Sequence, residues 1–414
     1  MSKIKTIISN PGLGAHVRQT VRAYYDANVL GVFYTTFVLG NNKFSSIIAN
    51  KYKGLKSKLF KEIPNNKTRK LISPELLRLI SSKLFSVTTT DRIWEWSELL
   101  FDKWVAKQID NSVNIFHGYE HASLASLEKC NSIGVFSVYE QPSAHHLYVK
   151  ENVLLPLLNK EEYFNSNFKD LYHSDLSAKR NLRRDEESHL ASLVLCNSTY
   201  VKRTLIHAGV PDNKILVFPL GFPAVKKISI TEKSSLKFII SGNLSYLKGT
   251  HHVLRVWRNN PEIFAKHELI CIGTDTLSSE EWDSLPNNVV KKDRLNSDDY
   301  LALLSSADVY ILNTYSDGFG MVMSEAMANG LAVIGTENSA AVDIIDDGIS
   351  GKVIPVGDEK ILLETMKWMI ENPSKVVNMR KAAQAYAAEY SWGKYRAELP
   401  KIILERYNLF KSND

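Results

Sequence analysis

The stretch from Val309 to Gly330 leaves few choices of fold. Val309–Leu312 is an apolar run of the length of a short buried strand. Asp317-Gly-Phe-Gly320 follows, and its two glycines let the backbone turn sharply with no Cβ to hold a ligand away. From about Met321 the pattern is helical, with Val322, Met323, Ala326 and Met327 on the buried side and Gly330 as a stop. A strand, a glycine loop and a helix start present backbone amides to the loop, a setting that suits a phosphate. Asp317 falls at the carboxyl end of the strand, where open α/β sheets bind ligands. Glu325 falls just over a turn inside the helix, placed to take two ribose hydroxyls with its two oxygens. Together a phosphate, a ribose and a carboxylate near a third group predict a nucleotide-sugar site, with Asp317 its catalytic candidate.

The same text carries a resemblance. Asp317-Gly-Phe-Gly320, Glu325-Ala-Met-Ala-x-Gly330-Leu and Ala332-Val-Ile334 resemble the acid-x7-Glu signature of the family 4 retaining glycosyltransferases. That family usually has Glu where this chain has Asp317. The similarity runs on through Asp343-Ile-Ile-Asp-Asp-Gly348, Gly351-Lys-Val-Ile-Pro355, Gly357-Asp358 and Tyr390-Ser-Trp392. It is specific over the C-terminal half and looser over the N-terminal half. The resemblance implies the α/β fold called GT-B, two Rossmann-like parallel-sheet domains facing a central cleft. It also implies transfer of a sugar from a nucleotide-diphosphate sugar to a saccharide or lipid-linked acceptor, with retention of anomeric configuration, and a place in cell-envelope polysaccharide synthesis. Phe319 and the glycines Gly318 and Gly320 would then border the donor.

The rest of the chain reads consistently with two α/β units. Strands are expected at Ile4–Ile8, Val32–Val38, Val113–Phe116, Gly134–Tyr139, Leu193–Cys196 and Ile215–Phe218, separated by helical segments. Pro219-Leu-Gly-Phe-Pro223 breaks that pattern. A second set starts at Lys237–Ser241 and continues through Leu269–Ile272, Val289–Val290, Val309–Leu312 and Ala332–Ile334. The expected domains are 1–222, binding the acceptor, and 223–390, binding the donor. Residues 391–414 form a final helix that the family resemblance would carry back onto the first domain.

The second set opens with Gly242-Asn243, followed by Lys248-Gly249. This resembles the family's Gly-Arg-x4-Lys-Gly motif, whose two cations neutralise the donor pyrophosphate. Lys248 fits, as a point charge for a diphosphate. Asn243 replaces the arginine, leaving Lys248 and backbone amides to carry the leaving group. Near the N-terminus, Gly12 and Gly14 precede His16. A dinucleotide fingerprint would need a third glycine at Val17 and an acid after the second strand, so NAD is disfavoured. In the resembling family this loop lines the cleft, which makes Gly14 a donor contact and His16 an acceptor contact. Asn114-Ile-Phe-His117-Gly-Tyr-Glu120 resembles the strand that ends in the family's catalytic histidine. The register admits position 117 or 119, and His117 is taken for its proton chemistry. His145, with His146, follows Pro142 and is a further acceptor candidate. Adjacent histidines share a metal poorly and no Asp-x-Asp occurs, so no metal and no cofactor is expected.

At 414 residues the chain is long for one core. Its three cysteines are scattered in apolar stretches and read as reduced thiols. No apolar signal core opens it, and the uncharged stretch Ala27–Asn42 is too short for a bilayer, so a cytoplasmic protein is expected. The net charge of +6 is uneven: between Lys43 and Lys83 eleven Lys or Arg face only Glu62 and Glu75. There Tyr52, Leu55, Leu59 and Ile63 share a helical face ringed by Lys51, Lys56, Lys58 and Lys61, the pattern of a helix lying on an anionic inner membrane surface. The competing reading is a surface helix with its lysines in water. Nucleic acid is disfavoured, since no binding module accompanies the basic run. Two other functions share this fold: a sugar-nucleotide 2-epimerase and a catalytically inactive partner subunit.

Overall fold

The computed structural model describes residues 4–51, 53–158 and 175–412. Alternating short apolar runs and amphipathic helices give two parallel sheets. The first orders its strands β3-β2-β1-β4-β5-β6-β7, with β1 (Thr6–Ser9), β2 (Leu30–Thr35), β3 (Thr68–Lys70), β4 (Ile115–Tyr119), β5 (Phe136–Gln141), β6 (Leu193–Cys196) and β7 (Ile215–Val217). The second runs β10-β9-β8-β11-β12-β13, with β8 (Lys237–Leu244), β9 (Glu268–Asp275), β10 (Val289–Lys292), β11 (Val309–Leu312), β12 (Ala332–Thr336) and β13 (Gly351–Ile354). Strands β1, β4, β5, β6, β11 and β12 are buried almost throughout, as continuous apolar runs in doubly covered parallel sheets must be.

Each sheet reverses its strand order once, between β1 and β4 in the first and between β8 and β11 in the second. The loops after those four strands therefore flank a crevice at each switch point. Strands β3 and β13 are additions to the sequence reading; each is an edge strand with exposed or half-buried positions and no apolar run to announce it.

The units are joined twice at one place. The Phe222 amide bonds the Tyr390 carbonyl at 2.9 Å, and the Trp392 amide bonds the Phe222 carbonyl at 3.0 Å. Beyond this the final helix, Trp392–Ser412, lies on the first unit. Tyr395 and Leu399 are buried there, the Tyr395 hydroxyl is 3.0 Å from Thr20 Oγ1, and Asn114 donates to the Tyr407 hydroxyl at 3.2 Å.

The basic region does not fold as a single amphipathic helix. Lys43–Lys51 is helical, Lys53–Lys58 is a 3-10 turn, and Leu39 pairs with Leu59 as an isolated bridge. Ile63 is buried in the main core and Lys58 bonds Glu75 at 3.2 Å. Tyr52 lies outside the described residues. The expected lipid-facing stripe is thus corrected: burial of Phe60 and Ile63 breaks the helix and turns part of that stripe inward.

Candidate active site

The loops after β8 and β11 meet across the second switch point. Gly249, at φ 62°, ends the β8 loop; a Cβ there would lie 1.8 Å from the Asn313 carbonyl oxygen, so only glycine admits this approach. The approach brings Lys248 Nζ to 2.7 Å from Asp317 Oδ2 and 3.2 Å from the Ser316 carbonyl. Asp317 Oδ1 accepts from the Gly320 amide at 2.8 Å, just ahead of the Met321–Ala328 helix. The carboxylate therefore takes one loop amide for itself while pairing with the lysine. Phe319 is buried in the core, which anchors the loop.

The end of β8 and the helix after the Asp317 loop also line a cavity of about 610 Å³, with Gly242, Asn243, Thr274, Arg294, Tyr300 and Glu325 in its wall; Lys248 and Asp317 are not among its lining residues. Burial raises the Glu325 carboxyl above the ordinary range, and a hydrogen bond from Tyr300 opposes that rise. Tyr300 is itself fixed by Ser241, whose hydroxyl lies 2.8 Å from its own. Val322 lines this cavity while packing, partly buried, against the core. The β8 strand runs two residues past Gly242, so Asn243 sits at the end of a strand, exposed, with its side chain in reach of a cavity ligand. Arg294, on the loop after β10, was not singled out from the sequence; an exposed arginine gives no signal until β10 is seen beside β9.

The first unit closes over the Asp317 loop. A Cβ on Gly318 would lie 1.8 Å from the Pro142 carbonyl oxygen, and Ser198 Oγ donates to the Gly318 carbonyl at 2.6 Å. The Tyr200 hydroxyl donates to Ser316 Oγ at 2.8 Å, and Arg203 donates to Asn338 Oδ1 at 2.6 Å.

Two expected contacts are corrected. His117 is fully buried: Nδ1 is 3.0 Å from the Tyr24 hydroxyl and Nε2 is 3.0 Å from Glu140 Oε2. Its ring faces inward from β4, with both nitrogens occupied, and touches no cleft. His145 is also buried; Nδ1 accepts from the Leu147 amide at 3.3 Å and Nε2 is 3.0 Å from Asp185 Oδ1. His146 Nε2 reaches the same oxygen at 2.6 Å, so adjacent histidines do converge on one partner. The ligand atoms of His145, His146 and Asp185 lie within 4.8 Å of one another. Burial lowers the His145 pKa, which favours its neutral imidazole.

Gly14 caps the Ala15–Asp26 helix and is exposed, and His16 stands edge-on to Tyr119 with ring centroids 5.7 Å apart. Tyr119 is itself buried. The histidine presented at the carboxyl edge of β4 is His121, overlooked because it follows the family-like motif. Its backbone is strained at φ 81° and its side chain is 39% exposed. The Glu187 carboxylate holds this turn by accepting from the His121 and Ser123 amides at 3.1 and 2.9 Å.

With this geometry established, known proteins supply the context. Residues 222–386 match the family model described as Glycosyl transferases group 1. Sucrose synthase of Acidithiobacillus caldus is 30% identical over 108 residues, 25% of this chain and 14% of that protein. Phosphatidyl-myo-inositol mannosyltransferase of Mycobacterium leprae is 28% identical over 102 residues, 24% of this chain and 27% of that protein. The chain thus matches well under a third of the length of either relative. Anabaena HepE, solved with UDP, superposes over 97% of this chain and all of its own with a TM-score of 0.61 at 16% identity. The two Rossmann-like units have the GT-B fold, and residues 222–386 are similar to the group 1 glycosyl transferases.

Proposed function

We propose that this protein is a glycosyltransferase that moves a sugar from a nucleotide-diphosphate donor to a saccharide or lipid-linked acceptor with retention of anomeric configuration. The observation that carries the reading is the Lys248–Asp317 pair, 2.7 Å apart, at a switch point whose two elements also line the cavity holding Glu325. Glu325 takes the ribose hydroxyls, Gly242 and Asn243 border the diphosphate, and Lys248 supplies the point charge for its leaving oxygen. Support for a uridine donor comes from the solved UDP complex of HepE. In the reaction the bond from the anomeric carbon to the phosphate oxygen breaks, and a bond to the acceptor oxygen forms on the same face. The acceptor proton passes to the departing phosphate. Asp317 favours the positive charge that grows on the sugar. Its pairing with Lys248 before donor binds gives each group a partner until the diphosphate takes the lysine.

Donor chemistry of this kind needs no metal where Lys248 and loop amides meet the diphosphate. His16 and His121, on the loops after β1 and β4, replace His117 and His145 as the histidines facing the acceptor side. A lipid-linked acceptor would place the protein on the inner membrane face in envelope polysaccharide assembly. Among the described residues no helix is long and apolar enough to cross a membrane.

The test is incubation with a panel of nucleotide sugars, with and without saccharide and lipid-linked acceptors. Release of nucleoside diphosphate that depends on acceptor, with a product of retained configuration, is expected. Conversion of donor alone would mark a sugar-nucleotide 2-epimerase. No conversion, with donor bound, would mark an inactive partner subunit, the outcome toward which the Asn243 replacement points.

A further inference from the structure

Between β3 and β4 the chain forms a helical hairpin, Ile72–Leu84 and Val87–Ala106, linked by Phe85 and Ser86. Its inner side is ordinary core, with Phe101 and Val105 fully buried. Its outer side is apolar and open. Leu76, Ile80 and Leu84 repeat every fourth residue along one helix and are 51%, 49% and 71% exposed. The stripe leads to the tip, where Phe85 and Val87 are 50% and 72% exposed, and Trp96 on the second helix is 48% exposed. Soluble monomers seldom leave a contiguous apolar stripe of this kind to water.

The charges on the hairpin are sorted by sign. Glu75 is buried against Arg78 at 2.9 Å and Lys58 at 3.2 Å. Asp91 pairs with Arg180 at 2.7 Å, Glu95 with Arg180 at 2.6 Å, and Glu98 with Arg183 at 3.8 Å. Asp102 accepts from the Ala125 and Ser126 amides at 2.7 and 3.2 Å. Every acid of the hairpin is therefore held by a cation or by backbone amides. The charged residues left exposed on it are Lys83, Arg92 and Lys103, all cationic.

We infer that this outer face docks the protein on an anionic lipid surface, with Leu84, Phe85 and Val87 dipping into the bilayer edge while Lys83, Arg92 and Lys103 meet headgroups. Tryptophan at the rim suits the polar boundary of a bilayer. A second copy of the chain is a poorer occupant, since two-fold pairing sets one patch against its own likeness and here brings cations to cations. The placement is also useful. The hairpin begins at the carboxyl end of β3, where the Leu71 amide bonds the Thr35 carbonyl at 3.0 Å, so its first turn stands on the crevice edge of the sheet. A lipid-linked acceptor would enter the cleft from the docked side. That last step rests on the function proposed above; the docking itself does not.

The test is flotation of the full chain with phosphatidylcholine vesicles, with and without phosphatidylglycerol. Binding that requires the anionic lipid and weakens with salt is expected. Each exposed cation is worth about fivefold, so Lys83→Ala, Arg92→Ala and Lys103→Ala together should lower partition about a hundredfold. Leu84→Ser, Phe85→Ser and Val87→Ser together should lower it at least about tenfold. These side chains lie outside the core, so far-ultraviolet dichroism and the melting midpoint should hold. Nucleoside diphosphate release with a soluble acceptor should hold as well, which separates loss of docking from failure of the transferase reading. Vesicle binding with no transfer in any assay would overturn that reading alone. Equal binding with neutral vesicles, no binding, or a dimer in sedimentation that Phe85→Ser dissociates would overturn the inference.

Discussion

Lys248 Nζ lies 2.7 Å from Asp317 Oδ2, a contact that ties the loop after β8 to the loop after β11. Sixty-nine residues separate the two in sequence. The contact sits at the strand-order reversal of the second sheet, where both strands end side by side, so each loop is held by the other and by the sheet beneath. It joins the group proposed to meet the diphosphate with the group proposed to meet the sugar.

Asp317→Asn should lower kcat by about 10²–10³ while changing donor affinity little, because the lost charge acts as positive charge develops on the sugar. The amide can still accept from Gly320, so the loop should persist. Steady-state kinetics with calorimetric donor binding decides it, with Asp317→Glu as the control. Full turnover in Asp317→Asn would reduce the residue to a cap.

Glu325→Ala should weaken donor binding by about 1.5–3 kcal/mol through loss of a charge-assisted bidentate contact. Because burial holds the Glu325 carboxyl above the ordinary range, its ionised form is lost early as pH falls. Donor affinity should therefore decline at a higher pH than a free glutamate would dictate, and Glu325→Gln should flatten that decline. Calorimetry across the acid range reads both; a wild-type affinity in the alanine variant removes Glu325 from the site.

Gly318→Ala is expected to cut turnover without unfolding either unit. Its Cβ would collide with the Pro142 carbonyl oxygen at 1.8 Å, so the first unit must swing away from the Asp317 loop. Small-angle scattering should show a longer molecule with an unchanged melting midpoint. An unaltered envelope and full activity would mean that this closed contact plays no part in the reaction.

Burial pushes the Glu98 carboxyl up to about 7, with Arg183 only partly opposing. An acid with a raised folded value costs stability as pH climbs from the normal carboxylate range to about 7, and the cost then levels off. Glu98→Gln should thus stabilise the protein at pH 8, by no more than about 3 kcal/mol, and the gain should vanish near pH 4. Urea denaturation at the two pH values checks the sign.

Much of the second unit was legible in the text. Val309–Leu312, Gly318, Gly320 and Gly330 mark strand, loop and stop because each needs a backbone state or burial that few residues supply. Asp317 and Lys248 come into contact in the fold, each carried by such an element, while Glu325 lines the cavity with Gly242 and Asn243. The first unit was harder. A histidine at the end of an apolar strand reads the same whether it faces a cleft or a buried glutamate, and the Glu140 partner of His117 comes from the neighbouring strand β5. His121, one turn of chain later, becomes prominent only through its backbone angle and its exposure.

The sequence by itself determined the two-unit α/β pattern, the glycine loop with its acids and the excess of positive charge between Lys43 and Lys83, since local backbone preference and hydrophobic period act over a few residues. Only the tertiary structure decided which charges are free. Glu75, Glu95 and Asp102 find their partners across helices and strands, while Lys83, Arg92 and Lys103 remain in water beside Leu84 and Phe85. Ile63, which shares a helical face with Leu59 in the sequence, is taken into the core instead. Burial is a property of what the rest of the chain brings alongside, and for a residue on a surface helix that neighbour is rarely written nearby.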